Sequence, residues 1–195
     1  MALKNTVIKL MKKLFLCVFL VLMFFGNTIA ESKDREAKLD QLFEQLKKSN
    51  NTSIALEIEM KIWSIWSKHP TQEKLTQSLA KGSELMVEGE LESAYKIFST
   101  IIDYSPNWAE GWNKRATVLY LMGRYYDSLN DIDEVLKLES RHFGALSGQG
   151  LVQTKLGNYE KAIKSYQAVQ KIYPSIRAAK VMLPQLKKLI KDEAI

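Results

Sequence analysis

Residues 143–176, FGALSGQGLVQTKLGNYEKAIKSYQAVQKIYPSI, decide the fold. The stretch opens with Gly144, Gly148 and Gly150 around Ser147. Such a cluster suits a phosphate loop, a nucleophile turn or a helix, and spacing separates the three. A dinucleotide loop needs G-x-G-x-x-G after a strand, but Gln153 stands where the third glycine would be. A phosphate P-loop ends in Gly-Lys-Ser/Thr, and that ending is missing here. A nucleophile elbow needs glycine two residues either side of the serine; Ser147 has Ala145 and Gln149 there.

Repetition supplies the helical reading. Segments of 34 residues beginning at Leu75, Ala109 and Phe143 align without gaps. Position 8 holds Gly82, Ala116 and Gly150, and position 15 holds Gly89, Gly123 and Gly157. Position 20 holds Ala94, Ser128 and Ala162, position 24 holds Phe98, Ile132 and Tyr166, and position 32 holds Pro106, Ser140 and Pro174. Small residues at positions 8 and 20 let two antiparallel helices approach. The position-15 glycine makes the turn, where positive φ is cheap only for glycine. The position-32 proline stops the second helix. Asn107 with Glu110 three residues on predicts an N-cap for the next helix.

The period and these columns resemble the tetratricopeptide repeat (TPR) family over residues 75–176. The third segment matches at Gly150, Gly157, Tyr159, Ala162, Tyr166 and Pro174, and the second at Trp112, Ala116, Leu119, Gly123 and Tyr125. The pattern is broken by Ser140 in place of proline and by Ser78 where tryptophan is usual. AEGWNKRAT followed by RHFGALSG is also similar to a family of exported proteobacterial TPR proteins. The resemblance implies an all-α helical-repeat solenoid of helix–turn–helix pairs that binds a protein or peptide on its concave surface. It also implies ligand-facing positions on the first helix of each pair. Those picked out as partner-binding are Glu110, Asn113, Thr117 and Tyr120 in the second repeat, and Ser147, Leu151 and Lys155 in the third. Asn113 can read a peptide backbone, Tyr120 offers a stacking face with a polar tip, and Lys155 a charge. Some TPR adaptors hold a C-terminal carboxylate with lysine and asparagine from the first repeat; Leu79 and Ser83 occupy those places here, so no such clamp is expected.

Outside the repeats, DREAKLDQLFEQLKK (34–48) and TSIALEIEMKIWSIWSK (52–68) read as two amphipathic helices separated by SNN. They predict a degenerate helical pair over residues 31–70, packed on the first repeat, with Trp63 and Trp66 in the core and Thr71 capping the next helix. Residues 177–195 predict a polar capping helix, kinked or split at Pro184. Gly144 and Gly148 lie four apart on one helix face. They suit tight packing against the preceding repeat or a smooth groove floor.

The N-terminus reads as a signal peptide over residues 1–30. Lys12 and Lys13 precede the apolar run LFLCVFLVLMFF, and Thr28-Ile29-Ala30 makes a small-residue cleavage site. A spanning helix needs about 20 apolar residues, so periplasmic export is expected; an uncleaved inner-membrane anchor holding a structural subunit is the alternative. Met11 is a second possible start. Cys17 lies within the apolar run, not at its end, which argues against lipidation, and no other cysteine follows. Four lysines of this segment account for most of the net charge of +6 and leave +2 for residues 31–195. That balance gives phosphate backbones little attraction, so no nucleic-acid partner is expected.

Catalysis and metals find little support. His69 and His142 are far apart, and Asp131, Asp133 and Glu134 sit on different helix faces. A hydrolase using Ser147 would need a base that His142, five residues away, is badly placed to supply. The expectation is a non-enzymatic module without cofactor or metal.

Overall fold

The computed structural model describes residues 33–193. The chain divides into two compact units, residues 1–40 and 41–195. Of the first, residues 33–40 are described and are helical. The signal-peptide segment and its alternative as an anchor lie outside the described residues.

The described residues form helices throughout: α1 (33–48), α2 (Thr52–Trp66), α3 (Glu73–Val87), α4 (Leu91–Tyr104), α5 (Ala109–Leu121), α6 (Tyr125–Leu138), α7 (Phe143–Lys155), α8 (Tyr159–Ile172) and α9 (Arg177–Glu193). Helices α3–α8 are the three predicted pairs. Each pair turns on its position-15 glycine, with φ of +85° at Gly89, +75° at Gly123 and +73° at Gly157. In a non-glycine residue that conformation would press Cβ against the following carbonyl.

Inside each pair the helices meet through complementary volumes. A Cβ on Gly82 would stand 2.6 Å from Phe98, and one on Gly150 would stand 2.7 Å from Tyr166. The second pair sets Ala116 and Ile132 in the equivalent places, both buried. Position 8 is therefore glycine where position 24 is aromatic, and alanine where it is the smaller isoleucine. Position 20 adds a polar stitch at Ser128, whose hydroxyl donates to the Ala116 carbonyl at 2.8 Å.

The first helices of successive pairs touch one another: α3 meets α5, α5 meets α7, and α7 meets α9. Comparable contacts between α4 and α6, or between α6 and α8, are not made among the described residues. The first helices therefore line the inner face of the stack. Arg115 locks α5 to the second helices around it. It donates in bidentate fashion to Asp131 at 2.7 and 2.8 Å and to Ser99 at 3.2 Å, and the hydrogen bond with Asp131 raises its pKa.

Several local expectations are corrected. Asn107 does not cap α5; the N-cap is Trp108, without a side-chain cap, and Glu110 turns inward. Thr71 does not cap α3. Instead the His69 ring accepts from the Gln72 amide at 2.9 Å through Nδ1. Pro184 does not split α9, which is continuous through it.

The largest difference concerns α2. It does not join α3 as the helices within the three pairs join each other. Its aromatic side chains lie across the starts of α5 and α7. Trp66 stacks on His142 with ring centres 4.1 Å apart, and Trp63 meets Phe143 edge-on at 5.4 Å. The Trp108 indole donates to the Trp66 carbonyl at 2.9 Å. At the other end, the Tyr173 hydroxyl donates to Glu59 at 2.9 Å. Aromatic area outweighs sequence proximity here: indole, imidazole and phenyl rings bury large surfaces against one another.

Candidate partner-binding site

Between α5 and α7, above α6, lies a small cleft of about 80 Å³. Asn113, Thr117 and Tyr120 line it from α5, and Gly144, Gly148 and Leu151 from α7. Ser128 and Ile132 of α6 reach it from behind. Helical spacing explains the gathering, since residues three and four apart share a face.

The two glycines have different reasons. A Cβ on Gly144 would collide with the Trp63 ring at 2.6 Å. A Cβ on Gly148 would meet only Ile132, at 3.7 Å, an ordinary contact. Gly144 therefore accommodates α2, not the preceding repeat, whereas Gly148 keeps the cleft floor open.

Four of the seven sequence-predicted residues, Asn113, Thr117, Tyr120 and Leu151, come together in this cleft. Glu110 does not reach the surface. It is 1% exposed, and Asn113 Nδ2 donates to its Oε2 at 3.2 Å. Lys114 stands 3.5 Å from its Oε1. The His142 ring completes the group. Its Nδ1 accepts from the Ala145 amide at 3.0 Å, so the proton sits on Nε2, which donates to Glu110 Oε2 at 3.2 Å. A buried carboxylate needs such partners, and Glu110 is a structural anchor in this arrangement.

Ser147 and Lys155 also lie outside the cleft lining. The Ser147 hydroxyl is buried with no hydrogen-bond partner, and His142 is committed to Glu110 and Ala145, so no nucleophile–base pair forms. Lys155 is exposed at the end of α7. Beside it, the Thr154 hydroxyl donates back to the Gly150 carbonyl at 2.7 Å. Among the described residues no group of histidine, cysteine and carboxylate side chains is placed to hold a metal ion.

Sequence reasoning missed the seat of the Trp63 ring against Gly144. It also missed the shared role of the two histidines. Each accepts a helix-starting amide three residues on, and His69 Nε2 then meets Ser105 Oγ at 2.9 Å. The recurring His-x-x-(amide) spacing gives no sequence signal of its own.

In class, this is a stack of helix–turn–helix repeats presenting a cleft between successive first helices. Residues 145–175 match the tetratricopeptide repeat family. A TPR repeat-containing protein of Rhizobium etli is 35% identical over 166 residues, covering 82% of this chain and 80% of that protein. The chain belongs to the tetratricopeptide repeat family. Among solved structures, the first TPR of Spaghetti (RPAP3) bound to an HSP90 peptide superposes with a TM-score of 0.59 at 19% identity, covering 61% of this chain and 94% of that one. The Yersinia enterocolitica type III secretion chaperone SycD, in complex with a peptide of the translocator YopD, gives 0.58 at 12% identity, covering 63% and 99%. These two share the fold.

Proposed function

We propose that this protein is a non-enzymatic adaptor that binds a protein or peptide in the cleft between α5 and α7. The observation carrying this reading is the cleft itself, where Asn113, Thr117, Tyr120 and Leu151 of two successive repeats surround an open glycine floor. Its volume suits one apolar side chain of a partner, with Asn113 and Thr117 as polar contacts at the edge. The structural relatives bound to HSP90 and YopD peptides agree with a peptide ligand. No nucleic acid or cofactor enters this function.

The same reading places the protein in the cell envelope, exported through residues 1–30. The basic start, apolar run and Thr28-Ile29-Ala30 site support it. Release by osmotic shock of a species whose N-terminus follows Ala30 is the expected result; retention of the segment in the membrane would favour an anchored subunit instead.

Site-specific photo-crosslinking in the native cell tests the binding site. A crosslinker replaces Tyr120 in the cleft, with a control at the exposed Asp127 of α6. A discrete partner captured from Tyr120 and not from Asp127 is expected. The same adducts from both positions would refute the cleft.

A further inference from the structure

A groove between α7 and α8 is open where the second pair is sealed. It holds about 380 Å³ and is lined by Gln149, Gln153, Lys161, Lys164, Ser165 and Ala168. None of these lines the cleft between α5 and α7. In the second pair, Arg115 and Asp131 stand at repeat positions 7 and 23 and bridge α5 and α6 at 2.7 and 2.8 Å. Leu119, at position 11, is 2% exposed. The third pair sets the shorter Gln149 and Ser165 in place of that ion pair, and Gln153 in place of that leucine. Shorter and polar side chains thus replace the ones that fill the space.

What the groove offers a ligand is donors and positive charge. The Gln149 side-chain oxygen accepts from the Ser165 hydroxyl at 2.8 Å. The Gln153 side-chain oxygen accepts from Asn158 Nδ2 at 2.9 Å. Each glutamine keeps its Nε2 donors to give. Lys161 and Lys164 are exposed and lie three apart on α8, so they share a face. Among the described residues neither is ion-paired, and no carboxylate lines the groove. Glu160 projects about 100° around the helix from Lys161. On α6, Glu134 is held by Lys137 at 2.6 Å, and Asp133 is exposed outside the lining.

We propose that this groove is a second binding site, separate from the cleft, and that its ligand is an extended acidic segment of a protein partner. Two glutamates two apart on an extended chain project to one side, about 6.6 Å apart. Residues three apart on a helix have Cβ atoms about 5–6 Å apart, so each carboxylate meets one ammonium. The amides of Gln149 and Gln153 donate to backbone carbonyls of the segment. A helical ligand spends those carbonyls on its own hydrogen bonds, and an extended one presents them.

An acetylated and amidated peptide of alternating glutamate and serine, measured by fluorescence anisotropy on the full chain, tests this. It should bind at least about tenfold tighter than the glutamine–serine peptide, the size of one well-placed charge interaction. Lys161→Gln with Lys164→Gln should weaken it by about tenfold and leave circular dichroism melting unchanged, since both side chains are exposed. Lys187→Gln with Lys188→Gln on α9 makes the same charge change outside the groove and should have little effect. Gln153→Leu restores the residue type of the second pair without altering charge and should cost about fivefold, one hydrogen bond. Tyr120→Ala, in the cleft, should leave this binding unchanged. Equal losses from the two lysine pairs, or no binding of the acidic peptide, would overturn the site. Loss with Tyr120→Ala but not with the Lys161 and Lys164 changes would assign the peptide to the cleft and overturn the second site. Undiminished binding to Gln153→Leu, or equal binding of a helical peptide with glutamates four apart, would overturn the extended ligand. Tighter binding of a single-stranded oligonucleotide of equal charge would overturn the carboxylate assignment.

Discussion

Replacing Gly150 by alanine should destabilise this protein although alanine is the better helix former. Gly150 lies within α7 at ordinary helical φ, so the substitution itself gains about 1 kcal/mol of helix propensity. Against this, the new methyl carbon would stand 2.7 Å from Cε2 and Cζ of Tyr166 and 3.0 Å from Cδ2. Normal contact is about 3.5–4.0 Å, so the ring must move by close to 1 Å. Tyr166 is 2% exposed and held in the core of the third pair, and overpacking of that kind costs about 1–3 kcal/mol. The net loss is about 1 kcal/mol, rising to about 2 if α8 has to shift. Urea unfolding followed by circular dichroism measures it. The chain supplies its own repair, since the second pair sets Ala116 against Ile132. Tyr166→Ile added to Gly150→Ala should be more stable than the sum of the single changes by about 1 kcal/mol, a direct-contact coupling. Gly148→Ala is the control on the same helix; its Cβ has only a 3.7 Å neighbour, so it should stabilise by up to about 1 kcal/mol. A Gly150→Ala protein as stable as the Gly148→Ala protein, with no coupling to Tyr166→Ile, would refute the volume argument.

Three further outcomes follow from the same structure. Glu110→Ala removes the shared acceptor of Asn113 and His142 in a buried place and should cost about 2–4 kcal/mol in urea unfolding, with Glu110→Gln costing less because it keeps a carbonyl acceptor; a loss within experimental error for Glu110→Ala would contradict the anchor role. Burial, with a smaller contribution from Tyr120, pushes the Tyr166 hydroxyl up to about 12. Burial and then the bond to Glu59 also raise Tyr173. Since unfolded tyrosine ionises near pH ~10, stability should be full below that pH and fall as pH rises through 12. Melting temperature against pH, with phenolate absorbance alongside, checks this; flat stability across that window would count against it. Finally, Leu79 is buried and the Ser83 hydroxyl donates to its carbonyl at 2.8 Å. Peptides should therefore bind with the same affinity whether their C-terminus is a free carboxylate or an amide, as isothermal titration will show.

How much was legible beforehand differs between elements. The repeats were readable because their determinants are local. A turn glycine at position 15 of each 34-residue repeat, small residues facing large ones across a hairpin, and helical spacing of apolar side chains all act between residues less than one repeat apart. Asn113, Thr117 and Tyr120 were picked out by the family resemblance, and all three line the cleft. Glu110, picked as partner-binding, is 1% exposed, because position in a repeat names a face and does not say what covers it.

What the sequence determined by itself was the period, the pairing of α3–α8 and the conformation of the three turn glycines, since backbone sterics and short-range packing depend on near neighbours. Where α2 lies was decided only in the tertiary structure. Trp63 and Trp66 could have packed on α3, which follows them directly. They pack instead on His142, Phe143 and Gly144, which lie far along the chain. Burial of aromatic area is non-directional and takes no account of sequence distance. That contact fills the notch at Gly144 with the Trp63 ring.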